Sequence, residues 1–221
     1  MDHYQQPGIP GGRGAVNRCG SYGQVWAATD PEDRVVALKL INTEAMSQAD
    51  PALRGHWRDH LEREIAFLDR LNADESRHVV ALLDHGLVDD QPVLVLERLQ
   101  ANLGQWLAQQ QRQHAPPDLT QILDWAEQIL DGLDVVHGAG FVYRDLKFSN
   151  LLVGENGALL KLADFGSLRR ENGDNTLSFI GTPATMAPEQ ALPDCRGGTV
   201  MNMRWITALI TTRWACCCLP C

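Results

Sequence analysis

The chain has 221 residues and a formal charge of −9 at pH 7, with a pI near 5.2. That length suits one domain or two small lobes with a real core, and 44% hydrophobic with 21% charged residues excludes wholesale disorder. The acidic balance excludes a nucleic-acid binder that works by neutralising phosphates, and with no spanning apolar run and no apolar signal core in MDHYQQPGIPGGRG, the expectation is a cytosolic chain with no membrane segment.

Residues 1–13, rich in Gly, Pro and Gln, read as a flexible leader. Gln24–Ala28 and Arg34–Ile41 read as strands, with Asp30-Pro31-Glu32-Asp33 turning between them. Pro51–Leu71 reads as a helix whose Trp57, Leu61, Ile65 and Leu68 make one apolar stripe. Val79–Leu83 and Pro92–Glu97 are two further strand-like runs, completing a β-rich unit with one helix. Beyond Glu97 the pattern turns helical, over Asn102–Gln113 and again over Asp118–His137. The second helix carries Ile122, Ala126, Ile129, Leu133 and Val136 on one face. Asp118 serves as its N-cap with Gln121 three residues on, and Gly138 and Gly140 end it. No internal repeat is present.

Reactive groups concentrate in Tyr143-Arg-Asp-Leu-Lys-Phe-Ser-Asn150, followed by Ala163-Asp164-Phe165-Gly166. Asn150 and Asp164 offer the hard oxygens that suit Mg²⁺, which takes few protein ligands and completes its shell with water or phosphate. Asp145 is then placed to orient a hydroxyl nucleophile, and Lys147 to neutralise charge on a transferring phosphoryl group. Upstream, Gly20 and Gly23 flank a loop that lets backbone N–H groups approach phosphates. Lys39 lies on the next strand and Glu64 on the following helix, where an ion pair would hold the ammonium against those phosphates.

Taken singly these are ordinary: a turn, an edge lysine, a solvated helix charge. In order and spacing they are not. The set Gly20-x-x-Gly23-x-Val25, Val36-Ala-Leu-Lys39, Arg63-Glu64-Ile65, Tyr143 to Asn150, Asp164-Phe-Gly166 and Ala187-Pro-Glu189 resembles the eukaryotic-type Ser/Thr protein kinase domain from about Gly14 to Gln190. The resemblance implies an α+β, two-lobed fold: a β-rich N-lobe with one helix over 14–97 and a partial helical C-lobe over 98–194. It also implies ATP and Mg²⁺ as cofactors and a protein substrate bearing Ser or Thr hydroxyls. By the same resemblance Val25 and Ala37 would sandwich the adenine, and the hinge from Glu97 to Leu99 would bond its edge. Gly181-Thr182-Pro183 would face the substrate. Phosphate on Thr176 or Ser178 would pair with Arg144, although unregulated loop hydroxyls account for those two residues equally well. Tyr143 stands where the family usually has histidine, Phe148 where proline is common, and Thr185 where an aromatic residue is usual. None of these removes a catalytic functional group.

All acidic residues and lysines lie at or before Asp194, while four cysteines (Cys216, Cys217, Cys218, Cys221) crowd the last six residues. Three consecutive cysteines cannot converge on one tetrahedral ion, and no partner histidine or second pair follows, which argues against a metal site. Residues 195–221 thus form a tail unlike kinase text. Read two bases over, the codons of Thr211–Cys218 force a Gly and, one residue farther on, Leu-Leu, and one allowed spelling is the expected kinase helix, so the expectation is a frameshift between about Gln190 and Leu209. The expectation is a kinase impaired by an incomplete C-lobe. The alternatives are an inactive kinase-like nucleotide-binding or scaffold module, and a non-functional fragment of a broken kinase gene. The oligomeric state is not readable from the sequence.

Overall fold

The computed structural model describes residues 16–19, 23–42, 51–71 and 76–170. The leader, Gly20, Thr176, Ser178, Thr182, Ala187-Pro188-Glu189 and the 195–221 tail lie outside these described residues. The chain divides into two compact units: one is the chain up to Gln100 with Ala163–Leu168 added, the other Ala101–Leu162 with the chain from Arg169.

The first unit is an antiparallel sheet in the order β1-β2-β3-β5-β4, formed by β1 (Val16–Cys19), β2 (Gly23–Thr29), β3 (Val35–Ile41), β4 (Leu82–Val88) and β5 (Gln91–Glu97). The β2–β3 turn forms as expected. Asp30 Oδ1 accepts from the amides of Glu32 (3.0 Å) and Arg34 (2.8 Å), a local ring that aspartate favours at turns. Strand β5 is the apolar run Pro92-Val-Leu-Val-Leu96, buried throughout because the sheet continues on both edges and both faces are covered. Side chains alternate across β3, so Val36 and Leu38 join Ala28 and Val95 in one core. Ala37, Lys39 and Ile41 face the other way.

The strand expected at Val79–Leu83 is displaced. Pairing begins at Leu82 and runs to Val88, closing on β5 through Asp89-Asp90, both at positive φ (48° and 63°). Those two backbone conformations define the tight turn that matches strand twist. The polar stretch Asp84-His85 reads as loop because β4 is an edge strand with much of its length in water.

Helix α1 (Pro51–Leu68) ends three residues before the expected Leu71, the chain unwinding through Arg70 N–H to Phe67 O (3.2 Å) and Leu71 N–H to Leu68 O (3.1 Å). Its buried stripe is Trp57, His60, Leu61, Glu64, Phe67 and Leu68, with Ile65 only part-buried. A carboxylate therefore sits in the middle of an apolar face.

The second unit contains α2 (Leu103–Arg112), α3 (Leu119–Gly138) and two small sheets, β6-β8-β9 (Ala101–Asn102, Leu151–Val153, Leu160–Leu162) and β7-β10 (Phe141–Val142, Arg169–Arg170). Asn102 caps α2 in a full box: its side chain accepts from Gln105 N–H (2.9 Å), and the Gln105 side chain accepts from Asn102 N–H (3.3 Å). Asp118 caps α3 as expected, accepting from Gln121 N–H. The Gln121 side chain does not complete a box, because its Nε2 donates to Gly157 O at 3.2 Å. Trp125 Nε1 donates to the same oxygen at 2.8 Å, and Gln128 bridges Ala158 O and Leu160 N–H. Helix α3 thus holds the turn leading into β9 by three side chains, and Trp106 meets Trp125 edge-on at 5.2 Å.

Candidate active site

Register places the residues expected to line the nucleotide. In β2 and β3, Val25 pairs with Lys39 and Ala27 with Ala37, while in β5 Leu94 pairs with Lys39 and Leu96 with Ala37. Cross-strand partners share a face, so Val25, Ala37, Lys39, Leu94 and Leu96 line one side of the sheet. Leu94 and Leu96 were not among the expected site residues, though their two-residue spacing in a buried run was the signal for them. Gly23 sits where an added Cβ would come within 3.2 Å of Leu40 O and 3.7 Å of the Lys39 stem, so the backbone there lies close over the lysine.

Lys39 is the junction of three elements. Its Nζ donates to Glu64 Oε2 (2.5 Å) on α1 and to Asp164 Oδ1 (2.8 Å) in the segment before the Phe165–Ser167 3-10 turn. Glu64 Oε1 in turn accepts from Phe165 N–H at 3.3 Å. The Lys39 and Glu64 side chains are 12% and 1% exposed, whereas that of Asp164 is 48% exposed. Burial acts to lower the Lys39 pKa, but the charges of Asp164 and Glu64 outweigh it and raise the value, keeping the ammonium charged. Glu64 is raised above the ordinary glutamate value, first by burial and then by the Asp164 charge, against the opposing pull of Lys39. The buried ammonium thus faces two carboxylates, one of them open to water.

Helix α1 also grips the turn after Asp164. Phe67 stacks on Phe165 with centroids 4.9 Å apart, and His60 packs on Gly166. These contacts were invisible in the sequence, because His60 and Phe67 match no motif and only the helical period links them to Glu64.

The second group of candidates lies in the other unit, on the loop between β7 and β8. Lys147 Nζ donates to Asp145 Oδ2 at 2.5 Å. Asn150 Nδ2 donates to the same oxygen and to the Asp145 carbonyl, both at 3.0 Å. A short 3-10 turn over Phe148–Asn150 brings Asn150 back to Asp145, and the buried Leu151 and Val153 of β8 anchor the downstream end. Arg144 is partly buried, and burial together with the nearby Arg169 guanidinium lowers its pKa below the ordinary arginine value. Arg169 was not foreseen as part of this basic pair.

Each unit offers one oxygen donor of the kind a magnesium ion takes. The two bonds to Asp145 fix the Asn150 amide so that Oδ1 is its acceptor oxygen. In the first unit Asp164 offers a water-exposed carboxylate, the other kind of hard oxygen that Mg²⁺ accepts. Glu97 closes β5 with its amide donating to Ala81 O (3.0 Å) and its Oε1 accepting from Ala81 N–H (2.7 Å), which braces the end of that strand.

A family model described as protein kinase domain matches residues 19–202, a span that runs past Asp194 into the stretch marked off by composition. Serine/threonine-protein kinase nekl-2 of Caenorhabditis elegans is 27% identical over 200 residues, covering 86% of this chain and 51% of its own length. Cyclin-dependent kinase 4 of Mus musculus is 37% identical over 159 residues, covering 68% of this chain and 49% of its own length. The mitogen-activated protein kinase kinase kinase YODA of Arabidopsis thaliana is 31% identical over 185 residues, covering 83% of this chain and 20% of its own length. The chain spans about half or less of the length of these curated relatives. With the lysine–glutamate–aspartate junction in one unit and the Asp145 loop in the other, the chain belongs to the protein kinase family, among the Ser/Thr kinases.

Proposed function

We propose that the chain transfers the γ-phosphoryl group of ATP to Ser or Thr hydroxyls of protein substrates in the cytosol. The observation that carries this reading is Lys39, held between Glu64 and Asp164 by elements far apart in sequence. Bound Mg²⁺-ATP supplies the phosphoryl group and neutralises the charge that develops on it. Lys39 would orient the nucleotide phosphates, and Glu64 fixes where Lys39 points. By the family resemblance, Asp164 of one unit and Asn150 of the other would each offer the metal an oxygen. Val25 and Ala37 offer apolar contact to the adenine, and the hinge through Leu99 offers its main chain. With the Glu97 amide bonded to Ala81, a donor to the base would come from farther along the hinge.

On the Asp145 loop the carboxylate would accept the proton of the substrate hydroxyl. Lys147 and Asn150 both bond its Oδ2, fixing the carboxylate plane, and Lys147 balances charge beside it. Arg144 and Arg169 form a basic pair that a phosphate on Thr176, Ser178 or Thr182 would complete.

Phosphotransfer from radiolabelled ATP to Ser, Thr and Tyr peptides tests the reading. We expect label on Ser and Thr, and a loss of about 10²–10⁴-fold in Asp145→Asn with ATP affinity retained. ATP binding without transfer, unaltered by Asp145→Asn, would favour a nucleotide-binding or scaffold role instead.

The break in composition after Asp194 favours one addition. We infer that the coding frame shifts between about Gln190 and Leu209. Sequencing the coding DNA there should show the kinase helices continuing in the alternative frame, and an alternative frame lacking them ends the idea.

A further inference from the structure

We infer that Ser167, the residue after Asp164-Phe165-Gly166, is a positioning residue. Its buried hydroxyl loosens the turn that presents Asp164. The inference rests on the phosphotransfer reading for what Asp164 does, but not for how the turn is held.

The turn is seated on α1 by consecutive residues. Phe165 stacks on Phe67, and its N–H reaches Glu64 Oε1. Gly166 lies so close to His60 that an added Cβ would come within 3.0 Å of Nδ1 and 3.2 Å of the His60 carbonyl oxygen. Leu168 N–H closes the turn on Phe165 O at 3.2 Å. His60, Glu64 and Phe67 recur at i, i+4 and i+7, one stripe of α1 reading two successive positions of the turn, Phe165 and Gly166.

Two features oppose this seat. Asp164 adopts φ 68°, ψ 72°, a left-handed backbone that a non-glycine residue enters at a penalty. Ser167 is 9% exposed, and among the described residues its Oγ is the one buried side-chain oxygen or nitrogen without a hydrogen-bond partner. A hydroxyl withdrawn from water and given no partner disfavours the state that buries it by about tenfold or more. When the turn lifts from α1, Ser167 regains water and Asp164 regains an ordinary backbone. The hydroxyl therefore acts through Asp164, weighting the turn toward release and making Lys39 the restraint that keeps it down.

The test is amide hydrogen exchange on the nucleotide-free full chain. In Ser167→Ala, exchange at Phe165 and Leu168 should slow by about tenfold, while Leu94 and Val95 in β5 stay unchanged. Ser167→Thr, which keeps the hydroxyl, should show no slowing. If the Ala variant is globally unfolded, Ser167→Val is compared with the similarly shaped Ser167→Thr. Slower exchange in Val supports the inference, and equal rates overturn it. Unchanged or faster exchange at Phe165 and Leu168 in a folded Ser167→Ala chain also overturns it.

A second readout separates positioning from packing. Titrating Mg²⁺ against a fluorescent ATP analogue, Ser167→Ala should need less Mg²⁺ for half-saturation, with metal-free nucleotide affinity unmoved. An unmoved Mg²⁺ requirement in a chain that binds nucleotide overturns the positioning role. If no variant binds nucleotide, the phosphotransfer reading fails, and the exchange comparison still decides how the turn is seated.

Discussion

Lys39 matters to stability as well as to chemistry, because Glu64 is buried with it. In Lys39→Met the carboxylate keeps its burial and its Asp164 neighbour but loses its cation. Breaking such a buried pair should destabilise the first unit by about 3–5 kcal/mol near pH 7, measured by denaturant unfolding. The pH dependence follows from the Glu64 shift. A carboxyl whose folded pKa is raised adds stability below its ordinary value of 4.5 and loses it as pH rises through the folded value. Without Lys39 that folded value rises further, so the deficit of Lys39→Met should shrink as pH is lowered from 7 toward 5. The native Lys39, itself raised, contributes stability that persists at neutral pH and is lost only in strongly alkaline solution. A deficit that grows on acidification would contradict this ordering of charges. The identity of Lys39, Glu64 and Asp164 was legible because their motifs carry fixed spacings. The orphan hydroxyl of Ser167 was not, since a serine's partners are decided only when the chain around it closes.

Among the elements, caps and one glycine hold the second unit together. Asn102→Ala removes the side-chain half of the α2 capping box and should cost about 1 kcal/mol in thermal unfolding. Gly157→Ala should cost more, roughly 2–4 kcal/mol. Its φ is +76°, and the new Cβ would lie 2.5 Å from Trp106 Cζ2, with the Trp106–Trp125 pair leaving that ring little room to retreat. The elements themselves were legible where periodicity was strong: β3, β5, α1 and α3 fall near their expected bounds. Strand β4 was misplaced because an edge strand need not look apolar. The two- and three-residue strands of the β6-β8-β9 and β7-β10 sheets were missed, because pairs that short form only when the chain between them folds back.

For the whole molecule, the ordering of six motifs made the family readable before any coordinates, and nothing in composition would have done so. Nucleotide should report on the assembled site. Mg²⁺-ATP at about 100 times its dissociation constant should stabilise the chain by about 2.7 kcal/mol, raising Tm by several degrees. Chelating the metal should reverse part of that rise, and Lys39→Met should show little of it. The described tryptophans divide between the units, Trp26 and Trp57 in the first and Trp106 and Trp125 in the second. The edge-on Trp106–Trp125 pair brings two indole chromophores within 5.2 Å, close enough to couple their transitions and give a circular dichroism band that single tryptophans lack. That band gives the second unit an optical signature of its own, so its melting can be followed while the first unit is still folded.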